Sequence, residues 1–350
     1  MKPVFTSREI RIGHLSLGGS QPVRLQSMTN TPTRDTVATV QQVERLVKAG
    51  CELVRITAGS MQEAENIKSI RQALLKKRID IPLIADVHFQ PKVAECVARM
   101  VEKVRINPGN FSGSHHKNKT YTDAEYQAEL KQISQNLAPL LQTCKAQGTA
   151  LRIGINHGSL SDRILFRYGN TAEGMVAAAL EYITVCRDQG FENLTLSLKA
   201  SHAAIMLDAN SLLVKEMRQR GMDFPLHIGV TEAGNGVDGR IKSALGIGTL
   251  LAEGIGDTIR VSLTESPENE IPVARILVDF YGRGNILSPV KIKYIPYVQI
   301  PDKDLSYVVS FKEGQALSPD DSVLLLSYPE IPFDRLLLLA AVDFNRAYEK

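Results

Sequence analysis

Short runs rich in Val, Ile and Leu alternate along the chain with longer stretches whose apolar residues recur every three or four positions. The short runs are Pro22–Met28, Cys51–Thr57, Ile81–His88, Lys103–Asn107, Ala150–Asn156, Asn193–Lys199, Pro225–Val230 and Asp257–Ser262. Strands separated by helical patterns predict a parallel sheet with crossover helices. An open doubly wound sheet usually stops near roughly six strands, so eight predict an α/β fold closed as a TIM (β/α)8 barrel. After the first strand, Thr33 or Asp35 can cap a helix carrying Val37, Val40, Val43 and Val47 on one side. Gly50 follows where a helix end favours a left-handed residue. The next helix repeats the period with Ala64, Ile67, Ile70 and Leu74. The fifth unit is expected to be the longest, with a Ser161–Arg167 turn before a helix over Glu173–Arg187. Residues 1–20 alternate around Ile10, Ile12, Leu15 and Leu17 and predict a hairpin that plugs the barrel bottom.

The pattern changes after Ser288. Pro289, Pro296, Pro301, Pro319, Pro329 and Pro332 interrupt short β-like runs, and one leucine-rich helical pattern, Phe333–Tyr348, follows. That is a thin core for a domain. The expected division is a capping hairpin at 1–20, the barrel at 21–287 and the start of a further, truncated domain at 288–350.

Barrel enzymes carry their chemistry at the C-terminal ends of the strands. The first strand ends in Gln26, Ser27 and Asn30, and the second carries Arg55 and Thr57. The third gives Asp86 and His88, and the fourth Arg105, Asn107 and Asn110. The fifth gives Arg152 and Asn156, and the sixth Lys199. The seventh gives His227, Thr231 and Glu232, and the eighth Arg260 and Ser262. Arg55 and Thr57, Arg105 and Asn107, and Arg260 and Ser262 are each two apart, and Arg152 and Asn156 four apart, so each pair shares a strand face. Such a ring of cations on one rim calls for an anion, and forked guanidinium groups beside Asn and Ser donors suit phosphoryl oxygens, two phosphates rather than one.

The overall charge makes that concentration meaningful. The chain has 41 basic and 38 acidic residues, a net +3, so no broad basic surface for nucleic acid or membrane is expected. The N-terminus, MKPVFTSREIRIG, has no apolar core of signal-peptide length, and the chain reads as cytoplasmic. Cys51, Cys96, Cys144 and Cys186 form no CxxC pair and read as reduced, buried thiols. In TEAGNGVDGR, Gly234, Gly236 and Gly239 form a GxGxxG. After a seventh strand it reads as a phosphate-binding loop, with a tight turn of no ligand role as the alternative. Asp86, His88 and His227 could ligate a metal, but hydrogen bonding to substrate is the simpler role. His115 and His116 sit in a polar loop. Lys199 could form a Schiff base, although a charge contact with the anion fits its neighbours better.

Seven segments, RLQSMTNTPTRD, IADVHF, KVRINPGN, LRIGINHGSL, SLKAS, HIGVTEAG and IGDTIRVSL, occur in this order. They resemble the 4-hydroxy-3-methylbut-2-enyl diphosphate synthase family from about residue 5 to 285. The resemblance implies reductive opening of 2-C-methyl-D-erythritol 2,4-cyclodiphosphate in the non-mevalonate isoprenoid pathway. It also implies a [4Fe–4S] cluster and electrons from ferredoxin or flavodoxin. It further implies that Arg55, Arg105, Asn107, Arg152, Asn156, Lys199, Arg260 and Ser262 hold the diphosphate. Asp86, His88, His227 and Thr231 would line the pocket, and Glu232 would be the acid/base group. The family's cluster domain supplies three cysteines, beginning with a CPxC-like pair, and a glutamate, and no such set follows the barrel within residues 1–350. The expectation is therefore the front part of a longer, plant-like three-domain enzyme, inactive by itself, with a homodimer left open. Two other classes stay open: a non-redox barrel enzyme (a Schiff-base aldolase on Lys199, or a pteroate-synthase-like transferase) and a diphosphate-binding module without turnover.

Overall fold

The computed structural model describes residues 5–88, 90–111 and 120–281. The tail from Ser288 and the loop histidines His115 and His116 lie outside the described residues. A hairpin, β1 (Ile10–Ile12) and β2 (Leu15–Leu17), precedes eight parallel strands. These are β3 (Arg24–Met28), β4 (Leu53–Thr57), β5 (Leu83–Val87), β6 (Lys103–Ile106), β7 (Ala150–Asn156), β8 (Leu194–Lys199), β9 (His227–Ile228) and β10 (Thr258–Ile259). Their order is β8-β7-β6-β5-β4-β3-β10-β9. The ring closes where the Leu196 N–H donates to the Pro225 carbonyl at 2.9 Å and Leu196 pairs with Leu226 in a single parallel bridge. All eight expected strands are present.

β9 is shorter than its apolar run predicts. Pro225 has no N–H to give a ladder, and the Leu226 N–H donates to the Asp257 carboxylate at 2.7 Å instead of to a strand. Asp257 also accepts from Ser7 Oγ at 2.6 Å, which ties the N-terminal segment to the same corner.

The helices follow their caps. Helix α1 (Thr36–Lys48) starts at Asp35, whose carboxylate accepts from the Ala38 N–H at 2.9 Å. Its buried face is Thr39, Val40, Gln42, Val43 and Leu46, so the expected stripe is rotated and Val37 is exposed. The cause is Gln42, which turns inward to bind the loop after β3: its Oε1 accepts from the Asn30 N–H at 2.9 Å and its amide donates to Asn30 Oδ1 at 2.6 Å. Helix α2 (Met61–Lys76) buries Ala64, Ile67, Ile70 and Leu74, the stripe read from the sequence. The fourth connection, not the fifth, is the longest. Helix α3 (Pro91–Val97) makes the third connection, and the fourth carries the turn α4 (Pro108–Phe111) and then α5 (Asp123–Gln147), 25 residues with Pro139 inside. That proline interrupts the helical signal in the sequence, while a Thr122–Glu125 capping box and Gly148 at φ +70° fix the ends. The fifth connection holds α6 (Asp162–Tyr168) and α7 (Ala172–Asp188), and α8 (Ala203–Gln219) follows β8.

Two cores result. The larger lies between strands and helices. The smaller joins Ile10, Ile12 and Leu17 of the hairpin to Leu53, Ile84 and Ala150 at the lower ends of β4, β5 and β7. The hairpin therefore seals the bottom of the barrel, and what remains inside opens only toward the C-terminal ends of the strands. Among the described residues no helix is long and apolar enough to cross a membrane.

Candidate functional site

Above that apolar plug the inward positions of the strands turn cationic. Alternation places Leu53 and Arg55, Ile84 and Asp86, Lys103 and Arg105, and Ala150 and Arg152 on one face of their strands, and the register sets Asp86 opposite Arg105 and Arg105 opposite Arg152. Barrel interiors are ordinarily filled by Val, Ile and Leu. Here Lys103, Arg105, Arg152, Lys199 and His227 are all buried, with Arg55 and Arg260 nearly so.

Two carboxylates offset part of this charge. Asp86 accepts from Arg105 Nη1 at 2.9 Å and faces Arg55 Nε and His88 Nε2 at 3.5 Å each. Burial would raise its pKa, but Arg55, Arg105 and His88 more than offset burial and hold it well below the usual carboxylate range. Glu270, at the start of the helix over Glu270–Tyr281, takes a forked pair from Arg260 Nε and Nη2, both 3.1 Å, and accepts from Ser27 Oγ at 2.7 Å. Arg55 also donates to the Met28 thioether at 2.8 and 3.0 Å, and Arg260 Nη1 reaches the same sulfur at 3.6 Å.

Arg152 has no such partner among the described residues. Arg152 is 1% exposed, and its Nε and Nη1 have no hydrogen-bond partner among the described residues. Burial, then repulsion from Arg55 and Arg105, depresses its pKa well below the ordinary arginine value. Burial lowers Arg55 to about 10. Lys199 and His227 are shifted well down by burial and by the surrounding cations, so both favour the neutral form. Both ring nitrogens of His227 are buried without a partner among the described residues. Unsatisfied buried donors are costly, and an anion in the lumen would satisfy these and offset the repulsion.

Three motif glycines make room for this arrangement. A methyl on Gly154, in the LRIGINHGSL segment, would collide with the Nε of Arg105, whose Nη2 donates to the Gly154 carbonyl at 2.9 Å. A methyl on Gly229, in HIGVTEAG, would strike the Arg260 carbonyl and stand 2.9 Å from Lys199 Nζ. One on Gly109, in KVRINPGN, would strike the Ser159 carbonyl. Ser159 is itself held by Asn107, whose amide donates to Ser159 Oγ at 2.8 Å while its oxygen accepts from the Gly109 N–H at 3.2 Å.

The other expected residues stand around the mouth. Asn156 is opposite Lys199 in the β7–β8 register and half-buried. Thr231 is half-buried with an unpartnered hydroxyl, and Ser262 is half-buried beyond β10. Glu232 is exposed and sits at φ +50°, a conformation that costs a non-glycine residue of order 1–3 kcal/mol and often marks a functional constraint.

The GxGxxG loop makes a tight turn in which one N–H is already engaged. The Gly236 N–H, which opens α9 (Gly236–Ser243), donates to Glu265 at 3.0 Å, and Arg240 clamps the same carboxylate. Gly239 lies directly against the Gly234 carbonyl, where a methyl would not fit.

Sequence reading overlooked Lys103, Met28, Glu270 and Ser159. The parity that paired Arg55 with Thr57 also pairs Lys103 with Arg105 and would have found it. Glu270 reaches the site across 10 residues from Arg260 and 243 from Ser27, for which no local pattern exists.

The thiols do not fit an iron–sulfur cluster. Cys51, two residues before β4, donates to the Leu53 carbonyl at 3.1 Å, and Cys96, Cys144 and Cys186 lie on α3, α5 and α7. Burial pushes Cys51 and Cys144 up to about 12, disfavouring the thiolate. Among the described residues no group of three or more His, Cys, Asp or Glu side chains could hold a metal ion.

Fold and lumen together define a parallel (β/α)8 barrel sealed below by a hairpin and lined above by cations. Residues 7–275 match the GcpE TIM-barrel domain, and the chain belongs to that family. Proteins named 4-hydroxy-3-methylbut-2-en-1-yl diphosphate synthase (flavodoxin) are similar to it. The Bacteroides fragilis protein is 55% identical over 296 residues, covering 84% of this chain and 46% of its own length. The Leptospira interrogans protein is 50% identical over 278 residues (79% and 42%), and that of Chlorobaculum tepidum 47% over 318 (86% and 42%). The chain thus spans about half the length of the curated relatives it matches. Among solved structures, Yersinia pestis DHPS with a pterine-sulfa conjugate is 15% identical, with a TM-score of 0.49 over 78% of this chain and 98% of that one.

Proposed function

We propose that this chain is the substrate barrel of a 4-hydroxy-3-methylbut-2-en-1-yl diphosphate synthase of the non-mevalonate pathway, and that its lumen holds the diphosphate of 2-C-methyl-D-erythritol 2,4-cyclodiphosphate. The observation that carries this reading is Arg152, a buried guanidinium with free donors facing other cations. A diphosphate would satisfy those donors and reverse the repulsion together. Arg55, Arg105 and Lys199 would share its charge, and Asn107, Asn156 and Ser262 would add neutral donors. Arg260, already forked to Glu270, would present only its remaining edge. Asp86 would orient Arg55, Arg105 and His88 rather than touch phosphate. His227 and Thr231 would line the carbon skeleton, and the strained, exposed Glu232 would hold or deliver a proton there.

Ring opening needs two electrons, for which the barrel's side chains provide no carrier. We assign the [4Fe–4S] cluster, and the site where flavodoxin or ferredoxin delivers electrons, to the part of the longer relatives that this chain does not span. Residues 288–350 would begin an intervening domain. Exposed apolar residues (Val37, Met61, Phe166, Val237) follow β3, β4, β7 and β9 and support a mouth that another domain covers. By itself the chain would bind without turnover.

Calorimetry with the cyclodiphosphate tests the reading. Arg152→Lys should lose about 1.5–3 kcal/mol of binding, because an ammonium cannot supply the fork. Unchanged affinity would remove Arg152 from the site. A second reading rests on Lys199, whose buried, neutral-leaning amine is suited to Schiff-base formation. Borohydride trapping of a carbonyl compound on Lys199 would favour it.

A further inference from the structure

Lys103 begins β6 and has no place in the functional reading above. It is fully buried, and its Nζ has no hydrogen-bond partner among the described residues. It lies two residues below Arg105 on the same inward face, about 6.6 Å along the strand. An extended lysine spans nearly that distance, so its amine can reach the level of the guanidinium layer. Its strand neighbours at that height, Ile84 and Ala150, are apolar and belong to the plug side of the barrel. The hairpin therefore denies it water from below. The charged and titratable groups that bear on it come from other strands: Arg152 on β7, Arg55 on β4 and His227 on β9. None is a carboxylate. A lysine serving the fold would have an acceptor or a route to solvent; this one has only cations overhead and methyl groups beneath.

We propose that Lys103 is a further anion-binding residue of the barrel, meeting the bound diphosphate from beneath Arg105 and Arg152. The inference rests on the diphosphate reading of the lumen. Before the anion arrives, burial and the facing cations favour the neutral amine. The arriving negative charge favours the ammonium, so binding draws a proton from solvent onto Nζ. The residue then acts as a floor for the site. It fixes how deep the phosphates sit and contributes a charge that exists only when the ligand does.

The test compares the wild-type chain with Lys103→Met, a side chain of similar length and shape without the amine. The probe is inorganic diphosphate at pH 8, followed by calorimetry in two buffers of different ionisation heat and by thermal melting without ligand. The variant should bind roughly tenfold or more weakly, the scale of one charged hydrogen bond. Its proton uptake on binding should fall below that of the wild type. Its ligand-free melting temperature should rise, because an unpaired buried amine is replaced by an apolar chain. A structural lysine would give the opposite sign in melting. Wild-type binding with an equally tight Lys103→Met overturns this inference and leaves the diphosphate reading standing. So does a variant that melts lower or fails to fold. A wild-type chain that binds neither diphosphate nor the cyclodiphosphate overturns the reading itself.

Discussion

Arg152, buried within β7, and Arg260, largely buried just beyond β10, have surroundings that differ in sign. Arg260 has a forked carboxylate partner in Glu270, and Arg152 has unpartnered donors. Removing one member of a buried pair strands the other charge, at a cost of about 3–5 kcal/mol. Removing an unpaired buried cation relieves the fold. Arg260→Met should therefore destabilise the ligand-free protein by roughly that amount, while Arg152→Met should leave it as stable as the wild type or more so. Urea unfolding of both variants checks this, and a comparable loss in each would show that Arg152 is also paired. The contrast also separates their functions. On the proposed reading Arg152 would be held ready for a ligand, whereas Arg260 is partly committed to anchoring the helix that starts at Glu270.

At the scale of elements, the spacing of cation and glycine matters more than either alone. Arg105 crosses from β6 over β7 because Gly154 has no side chain in its path, and its fork then joins Asp86 on one side to the Gly154 carbonyl on the other. Gly229, just after β9, similarly leaves room for both the Arg260 carbonyl and Lys199. Gly154→Ala should push Arg105 off its carbonyl and away from Asp86. The expected result is a loss of stability of about 1–3 kcal/mol, the usual scale of overpacking, together with weaker diphosphate binding. Denaturant melts and calorimetry on the same sample measure both. An alanine variant with normal stability and affinity would show that Arg105 has room elsewhere. Helix α1 teaches the converse lesson. Its apolar period is genuine, but Gln42 has a hydrogen-bonding task in the loop after β3, and that task sets which face turns inward.

For the whole molecule, the concentration of buried cations makes stability depend on pH in an uncommon direction. Lys103, Lys199 and His227 have folded pKa values well below their ordinary values of 10.5, 10.5 and 6.5. Between the folded and unfolded values the unfolded chain binds the extra proton, so stability rises with pH. For the lysines that window lies below 10.5, and for His227 below 6.5. From above, the thiols of Cys51, Cys144 and Cys186, raised over their ordinary 9.0, favour unfolding once the unfolded chain ionises. Asp86, held low, loses its contribution only as pH falls through its folded value, beneath 3.8. The ligand-free protein should therefore gain stability as pH rises above the lysines' folded values and below 9.0, where the unfolded thiols ionise. The slope should be roughly 1.4 kcal/mol per pH unit for each lysine neutral in the fold and charged when unfolded. Melts in an anion-poor buffer test this, and a flat or falling curve would mean that the lysines are charged in the fold. Saturating diphosphate should flatten the rise, since it favours the charged forms.

The sequence by itself determined the barrel and the inventory of its mouth. Eight apolar runs of strand length separated by amphipathic stretches leave little choice of architecture, because each face must be buried. Period-two spacing then puts Arg55, Arg105, Arg152 and Arg260 on inward faces without any coordinates. The hairpin's alternation similarly announced an apolar plug. Tertiary structure decided which of those groups are balanced and which are left without a partner. Glu270 reaches Arg260 and Ser27, and Asp86 sits between Arg55 and Arg105, only because closure of the barrel brings distant strands together. It also engaged the Gly236 N–H of the glycine-rich loop after β9 with Glu265. It exposed Lys103 as a cation sealed between the plug and the guanidinium layer. The physical reason is range. Strand periodicity and helix caps act over a few residues and are written locally, whereas desolvation and charge balance depend on every side chain that meets in the lumen.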